Sequence, residues 1–308
     1  MRLFALAPLA VLCLPAAAGA DAEECSLSWS IAAAQFAPLA EHLPVAETAE
    51  DGRCLVQGLA VQSSQYLAAE VERISWAGAG LGRLAAGLPP ETLDMTFEGL
   101  RFVPVIPGDP VTAYLLREQA RGRKGISGGV RYRLTGDSLL LDRAWIDYPG
   151  DNEIAVSGQL SGVDASSLAK LQMSAGTAAM SRLDLRIASH GMFEDVALLP
   201  IGNALLSQDT PVEEQVQALK LEADRFVSQL PESLYTEGSI AALQQMISTM
   251  PHPSGTLEVS VVSAEGLGVA RFMPFAMAMD AAGTIPDSED FLALLKDVSI
   301  TVRWTEAP

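Results

Sequence analysis

"TLDMTFEGL" at 92–100, "RLDLRIASHG" at 182–191 and "TLEVSVVSAEG" at 256–266 share one pattern. Each runs leucine, acidic, apolar, polar, apolar, and each reaches a glycine within a few residues. A period of two puts Leu93, Met95 and Phe97 on one side of an extended chain and Asp94, Thr96 and Glu98 on the other. The second copy sets Leu183, Leu185 and Ile187 against Asp184 and Arg186; the third sets Leu257, Val259 and Val261 against Glu258 and Ser260. Such segments are strands with one face in the interior and one in water. Apolar, mostly helical sequence follows each copy. The copies are too unevenly spaced for a tight solenoid, and both duplicated units and independent amphipathic strands account for them. The expected fold is α+β: a long, mainly antiparallel, twisted sheet with helices covering one face.

The rest of the chain extends this reading. A short helix is expected near 30–42, then strands at "CLVQGLAVQS" (54–63) and "EVERISW" (70–76). "AGAGLGRLAAGLPP" lacks the last glycine of a dinucleotide fingerprint, because Arg83 fills that place, and reads as a flexible connection. Asp109-Pro110 opens a helix carrying Val111, Tyr114 and Leu115 on one side. Residues 128–160 read as nearly continuous strand, broken at the turn Pro149-Gly150-Asp151-Asn152. A short helix follows with Asp164 as its expected cap. The clearest helix, 211–230, has an apolar stripe of Val212, Val216, Leu219, Ala223, Phe226 and Leu230, the usual pattern of a helix packed on a core, with a cofactor or partner groove as the lesser alternative. A second helix is expected over 237–250, ended by Pro251 and Pro253. Met-rich helical sequence surrounds Pro274, a last helix lies near 287–296, and the strand "DVSITVRW" ends the pattern.

The N-terminus has the order of a secretory signal peptide: Arg2, an apolar stretch from Leu3 to Leu14, Pro15, then Ala18-Gly19-Ala20. The apolar part falls short of the roughly 20 residues that span a bilayer. Cleavage after Ala20 is expected, leaving a periplasmic domain at 21–308 that contains one large unit or two sub-domains with a boundary near 207–211. Of the three cysteines, Cys13 lies in the leader. Cys25 and Cys54 then form an even pair in an oxidising compartment, which reads as a disulfide. A formal net charge of −18 disfavours nucleic acid and anionic lipid surfaces as partners. The one basic cluster, "REQARGRKG" at 117–125, reads as a solvated helix end.

Chemistry is sparse. Gly125-Ile126-Ser127-Gly128-Gly129 satisfies G-x-S-x-G, and a triad with an Asp and His252 is conceivable on paper. A nucleophile elbow needs a strand before the serine and a helix after it, and here the order is reversed. His42, His190 and His252 have no partner at metal-ligand spacing, and no cofactor motif is present. The expectation is a non-enzymatic protein without metal or cofactor.

The leader, "GDSLLLDRAWIDYPGDNEIAVSGQLSGVDASSL" at 136–168 and the strand-plus-helix phrase at 183–206 resemble uncharacterised alphaproteobacterial periplasmic proteins and, more distantly, AsmA-like envelope proteins. The resemblance lies in strand spacing and Gly/Asp turns over the middle half of the chain. It implies an elongated sheet whose dry groove carries lipid or supports envelope assembly. This chain departs from it in its shortness, its cysteine pair and its want of an anchor after the leader. The expected function is to bind or shield an apolar, lipid-like ligand along Leu93, Met95, Phe97, Leu183, Leu185, Ile187, Leu257, Val259 and Val261. For each of these residues, plain core under the helices is the competing account. The alternatives are an envelope adaptor that binds another protein and, weakest, a serine hydrolase using Ser127.

Overall fold

The computed structural model describes residues 21–40, 42–106, 108–207, 210–273 and 292–307. The leader at 1–20, Gln208 and Asp209 of the expected boundary, and the stretch from Pro274 to 291 lie outside the described residues. Ten strands form one open sheet in which every strand lies beside its predecessor. They are β1 (Glu47–Thr48), β2 (Cys54–Ser64), β3 (Leu67–Ala77), β4 (Thr92–Pro104), β5 (Ile126–Thr135), β6 (Ser138–Tyr148), β7 (Asn152–Ser161), β8 (Ala179–His190), β9 (Ser254–Gly268) and β10 (Val298–Glu306). All neighbouring pairs are antiparallel. The helices are α1 (Ala22–Phe36), α2 (Pro110–Arg121), α3 (Leu168–Thr177), α4 (Leu198–Leu205), α5 (Val212–Ser228) and α6 (Ser239–Thr249).

Local chemistry explains where several elements begin. Helix α1 starts earlier than the expected 30–42 because the Asp21 side chain accepts from the Glu24 N–H at 2.8 Å, with Glu23 and Glu24 in the first turn. Asp109 caps α2 as expected, accepting from the Thr112 N–H at 3.0 Å. The cap of α3 is Ser167, not Asp164; Asp164 instead accepts from the Ser166 N–H at 2.9 Å and forms a turn ahead of the helix. The glycine-rich connection is also ordered differently from expectation. Leu81–Ala86 forms a 3-10 helix between Gly80 and Gly87, and Leu81 is only 1 % exposed.

The densest core lies at the β2 end. Cys25, Trp29, Ala33, Cys54, Val56, Leu59, Trp76 and Leu81 are buried together. Cys25 and Cys54 are disulfide-bonded across a sequence separation of 29. The Trp76 indole N–H donates to Ser28 Oγ at 2.9 Å, and the Trp29 indole N–H donates to the Pro44 carbonyl at 2.6 Å.

At the opposite end the outer edge of β10 is covered. Ile300 N–H donates to the Leu234 carbonyl at 2.7 Å, Thr236 N–H donates to the Ile300 carbonyl at 2.9 Å, and Val302 N–H donates to Ser239 Oγ at 3.0 Å. These bonds occupy edge groups that otherwise template pairing with another chain. Helix α6 packs along the same strand.

Asp297 ties the base of β10 to the end of β9. Its carboxylate accepts from Ser263 Oγ and Glu265 N–H at 2.8 Å each and from Arg271. Arg271, with help from the Glu265 N–H, holds this carboxyl well below the usual carboxylate range, against the opposing effect of burial. A native pKa below the unfolded value of about 3.9 stabilises the fold fully above that pH and is lost as pH falls toward the native value. Asp297→Asn is therefore expected to cost about 2 kcal/mol at neutral pH and to lose most of its deficit at about pH 2. Urea unfolding of both proteins across that range checks this; a deficit independent of pH contradicts it.

Candidate functional site

Register turns the three similar stretches into a surface. Leu93 aligns with Tyr132, Leu141, Gly158, Leu183, Val261 and Ile300 across seven strands. Met95 aligns with Val130, Ala144, Val156, Leu185, Val259 and Val302. Phe97 aligns with Gly128, Ile146, Ile154, Ile187, Leu257 and Trp304. All nine sequence-predicted residues thus share one face, and they form three rows running from β4 to β10. The intervening strands β5, β6, β7 and β10 complete the rows with residues that were not singled out from sequence.

The other face is a lattice of ion pairs. Asp94 pairs with Arg53 and Arg131, Glu153 pairs with Arg143 and Arg186, and Arg133 pairs with Asp142. Their partial exposure makes each pair worth little to stability. Their importance is to register, because a one-residue slip would put them on the apolar side. Two of the three glycines in the Ser127 motif serve these two faces. A Cβ on Gly128 would lie 2.8 Å from the Phe97 ring, and one on Gly129 would lie 2.3 Å from the Met95 carbonyl oxygen and 2.7 Å from the Trp145 ring.

The rows are incompletely covered, and Leu93, Met95, Ile187 and Leu257 are themselves half-buried. Leu93 and Met95 pack against the core beneath α1. In the middle row Val130, Ala144, Val156, Leu185 and Val259 are only half-buried, and Ile146 in the next row is 39 % exposed. Near β8 and β9, Ile187 and Leu257 line a 260 Å³ chamber with Ile154, Met192, Met250 and Trp304. The Trp304 indole N–H is buried there without a hydrogen-bond partner among the described residues.

Beside that chamber lies a larger apolar groove of about 540 Å³ between α4, α5 and α6. The two share Phe193 and Met250. Its wall corrects the reading of the 211–230 helix as one packed on a core. Val216, Leu219, Ala223 and Phe226 line the groove, Phe226 is 65 % exposed, and Val212 is 49 % exposed. None of the residues of helix α2 is buried, and Val111, Tyr114 and Leu115 are exposed.

Ser127 does not sit on an elbow. It lies inside β5, paired with Asp147 of β6, and lines a cleft with Asp147 and His190. Burial and the neighbouring Glu153 push the Asp147 carboxyl above its usual value. His190 and Ser127 share no side-chain hydrogen bond among the described residues, and His252 bonds instead to Glu194 at 3.0 Å. The triad drawn from sequence is not assembled. Among the described residues no cluster of three or more His, Cys, Asp or Glu is placed to hold a metal ion, and no helix is long and apolar enough to cross a membrane.

No protein-family model matches the chain, and no curated protein matches it.

Proposed function

We propose that this is a non-enzymatic periplasmic protein that binds or shields a lipid-like ligand on the apolar face of its sheet. The observation that supports this most strongly is the course of the three rows. They run over seven strands, interrupted only at Gly128 and Gly158, and remain half-buried in the middle, where a core would leave no access. In this reading α1 and α6 roof the two ends of the face, and the ligand covers what lies between. Apolar area left in water is unfavourable by about 25 cal/mol per Å², so a ligand that covers it gains affinity without specific polar contacts. The unpartnered Trp304 N–H adds a donor for an acceptor on the ligand, since leaving it unmade costs about 1–3 kcal/mol. The disulfide and the order of the N-terminal leader support the location.

Native mass spectrometry of the gently extracted protein is expected to show bound lipid. Ile146→Glu should lower that occupancy several-fold while preserving the fold, because Ile146 is already 39 % exposed. A ligand-free wild-type species under gentle extraction contradicts the reading.

A second reading, an envelope adaptor, draws on the exposed α2 stripe of Val111, Tyr114 and Leu115. Crosslinking in cells would then yield one dominant protein partner, lost in a Tyr114→Asp, Leu115→Asp protein.

A further inference from the structure

The groove between α4, α5 and α6 has two charged residues among its apolar walls: Glu222, which is exposed, and a lysine that is better covered. The lysine is Lys220, half-buried on α5. Its ammonium donates to the Ser248 carbonyl at 2.8 Å and to the Met250 carbonyl at 2.9 Å, at the C-terminal end of α6. An ammonium carries three donors. No carboxylate among the described residues lies within ion-pair distance of it, although the chain has 38 acidic residues and only 20 basic ones. The two carbonyls hold the charge in place and leave a donor over at the rim of an apolar groove.

We propose that this groove binds a long-chain fatty acid, with its carboxylate on Lys220 Nζ and its chain along Val216, Leu219, Ala223 and Phe226. A volume of about 540 Å³ is within the size range of small-molecule sites. The charge decides the class. A neutral acyl chain would satisfy the walls but leave the Lys220 donor over, whereas an anion forms a charge-assisted hydrogen bond with it. Phe193 and Met250, shared with the chamber against Ile187 and Leu257, place this groove next to the sheet's apolar face. The proposal thus rests on the lipid-binding reading and names the ligand's head group and the place where it is held.

Fluorescent cis-parinaric acid and its methyl ester separate the two readings. The purified protein is expected to bind the acid about tenfold more tightly than the ester, because only the acid is charged. Lys220→Met should remove that preference, and Lys220→Arg should keep most of it. Lys220→Met also loses the α6 contact, so the acid-to-ester ratio is the readout; a purely structural role lowers both affinities alike. Ala223→Trp, which fills the groove, should abolish binding of both probes. Equal affinity for acid and ester in the wild-type protein, or an unchanged ratio in Lys220→Met, overturns the proposal. If lipid is nonetheless found on the extracted protein and is lost in Ile146→Glu, the sheet reading stands without it. If the extracted protein carries no lipid and neither probe binds, both fail.

Discussion

Trp76→Ala is expected to unfold with about 3–5 kcal/mol less stability than the parent protein, the usual cost of emptying a large buried aromatic site. The position justifies the upper part of that range. Trp76 is 6 % exposed and stands in register between Cys54 on β2 and Met95 on β4. Its ring lies 6.2 Å from that of Trp29, and its N–H reaches Ser28 on α1. Truncation therefore opens a cavity, removes an aromatic contact and leaves the buried Ser28 hydroxyl with its bonds to the Glu24 and Cys25 carbonyls alone. Trp76→Phe keeps most of the volume and should recover more than half of the loss. Guanidinium unfolding measures both. A loss below about 1.5 kcal/mol for the alanine protein would mean that α1 is not held to the sheet by this cluster.

Removing the disulfide has the second large effect. The Cys25→Ser, Cys54→Ser protein is expected to lose about 3–4 kcal/mol, chiefly because the unfolded chain regains the freedom of a loop with a sequence separation of 29. Both sulfurs are fully buried, so replacement hydroxyls add a desolvation cost. Reduction of the wild-type protein by dithiothreitol under mild denaturant should produce a loss of similar size without that second cost. The cysteine pair and Trp76 share one cluster, and the combined variant should fall short of additivity. Reduction that leaves the unfolding midpoint unchanged would contradict the entropic account.

The strands were the legible part of this protein. A half-buried strand advertises itself through a period of two, and Leu183, Leu185 and Ile187 could be assigned to one face without coordinates. What alternation does not carry is register, which decided that Leu93, Leu183 and Val261 share one row rather than three separate patches. Helices were legible as elements and misleading as surfaces. The α5 stripe has the spacing of a core-facing helix, yet Val216, Leu219 and Phe226 border a groove whose other walls are α4 and the C-terminal end of α6. Periodicity shows which side of a helix is apolar, not what faces it. Lys220 left no sequence signal, since its isolation from carboxylates depends on elements brought together from 198 to 250. The cap of α3 was misplaced because Asp164 and Ser167 are both good cap residues, and the chain used the first for a turn. The 3-10 helix was missed because the glycines at 80 and 87 read as freedom, whereas they bracket Leu81 as it enters the core.

The covering of the β10 edge has a consequence for the order of assembly. Leu234, Thr236 and Ser239 precede β10 in the chain and bind its outer side, while β9 binds its inner side. Strand β10 thus enters a slot whose two walls are synthesised before it. A protein shortened by residues 298–308 would present both walls of that slot unfilled, and it should self-associate through them.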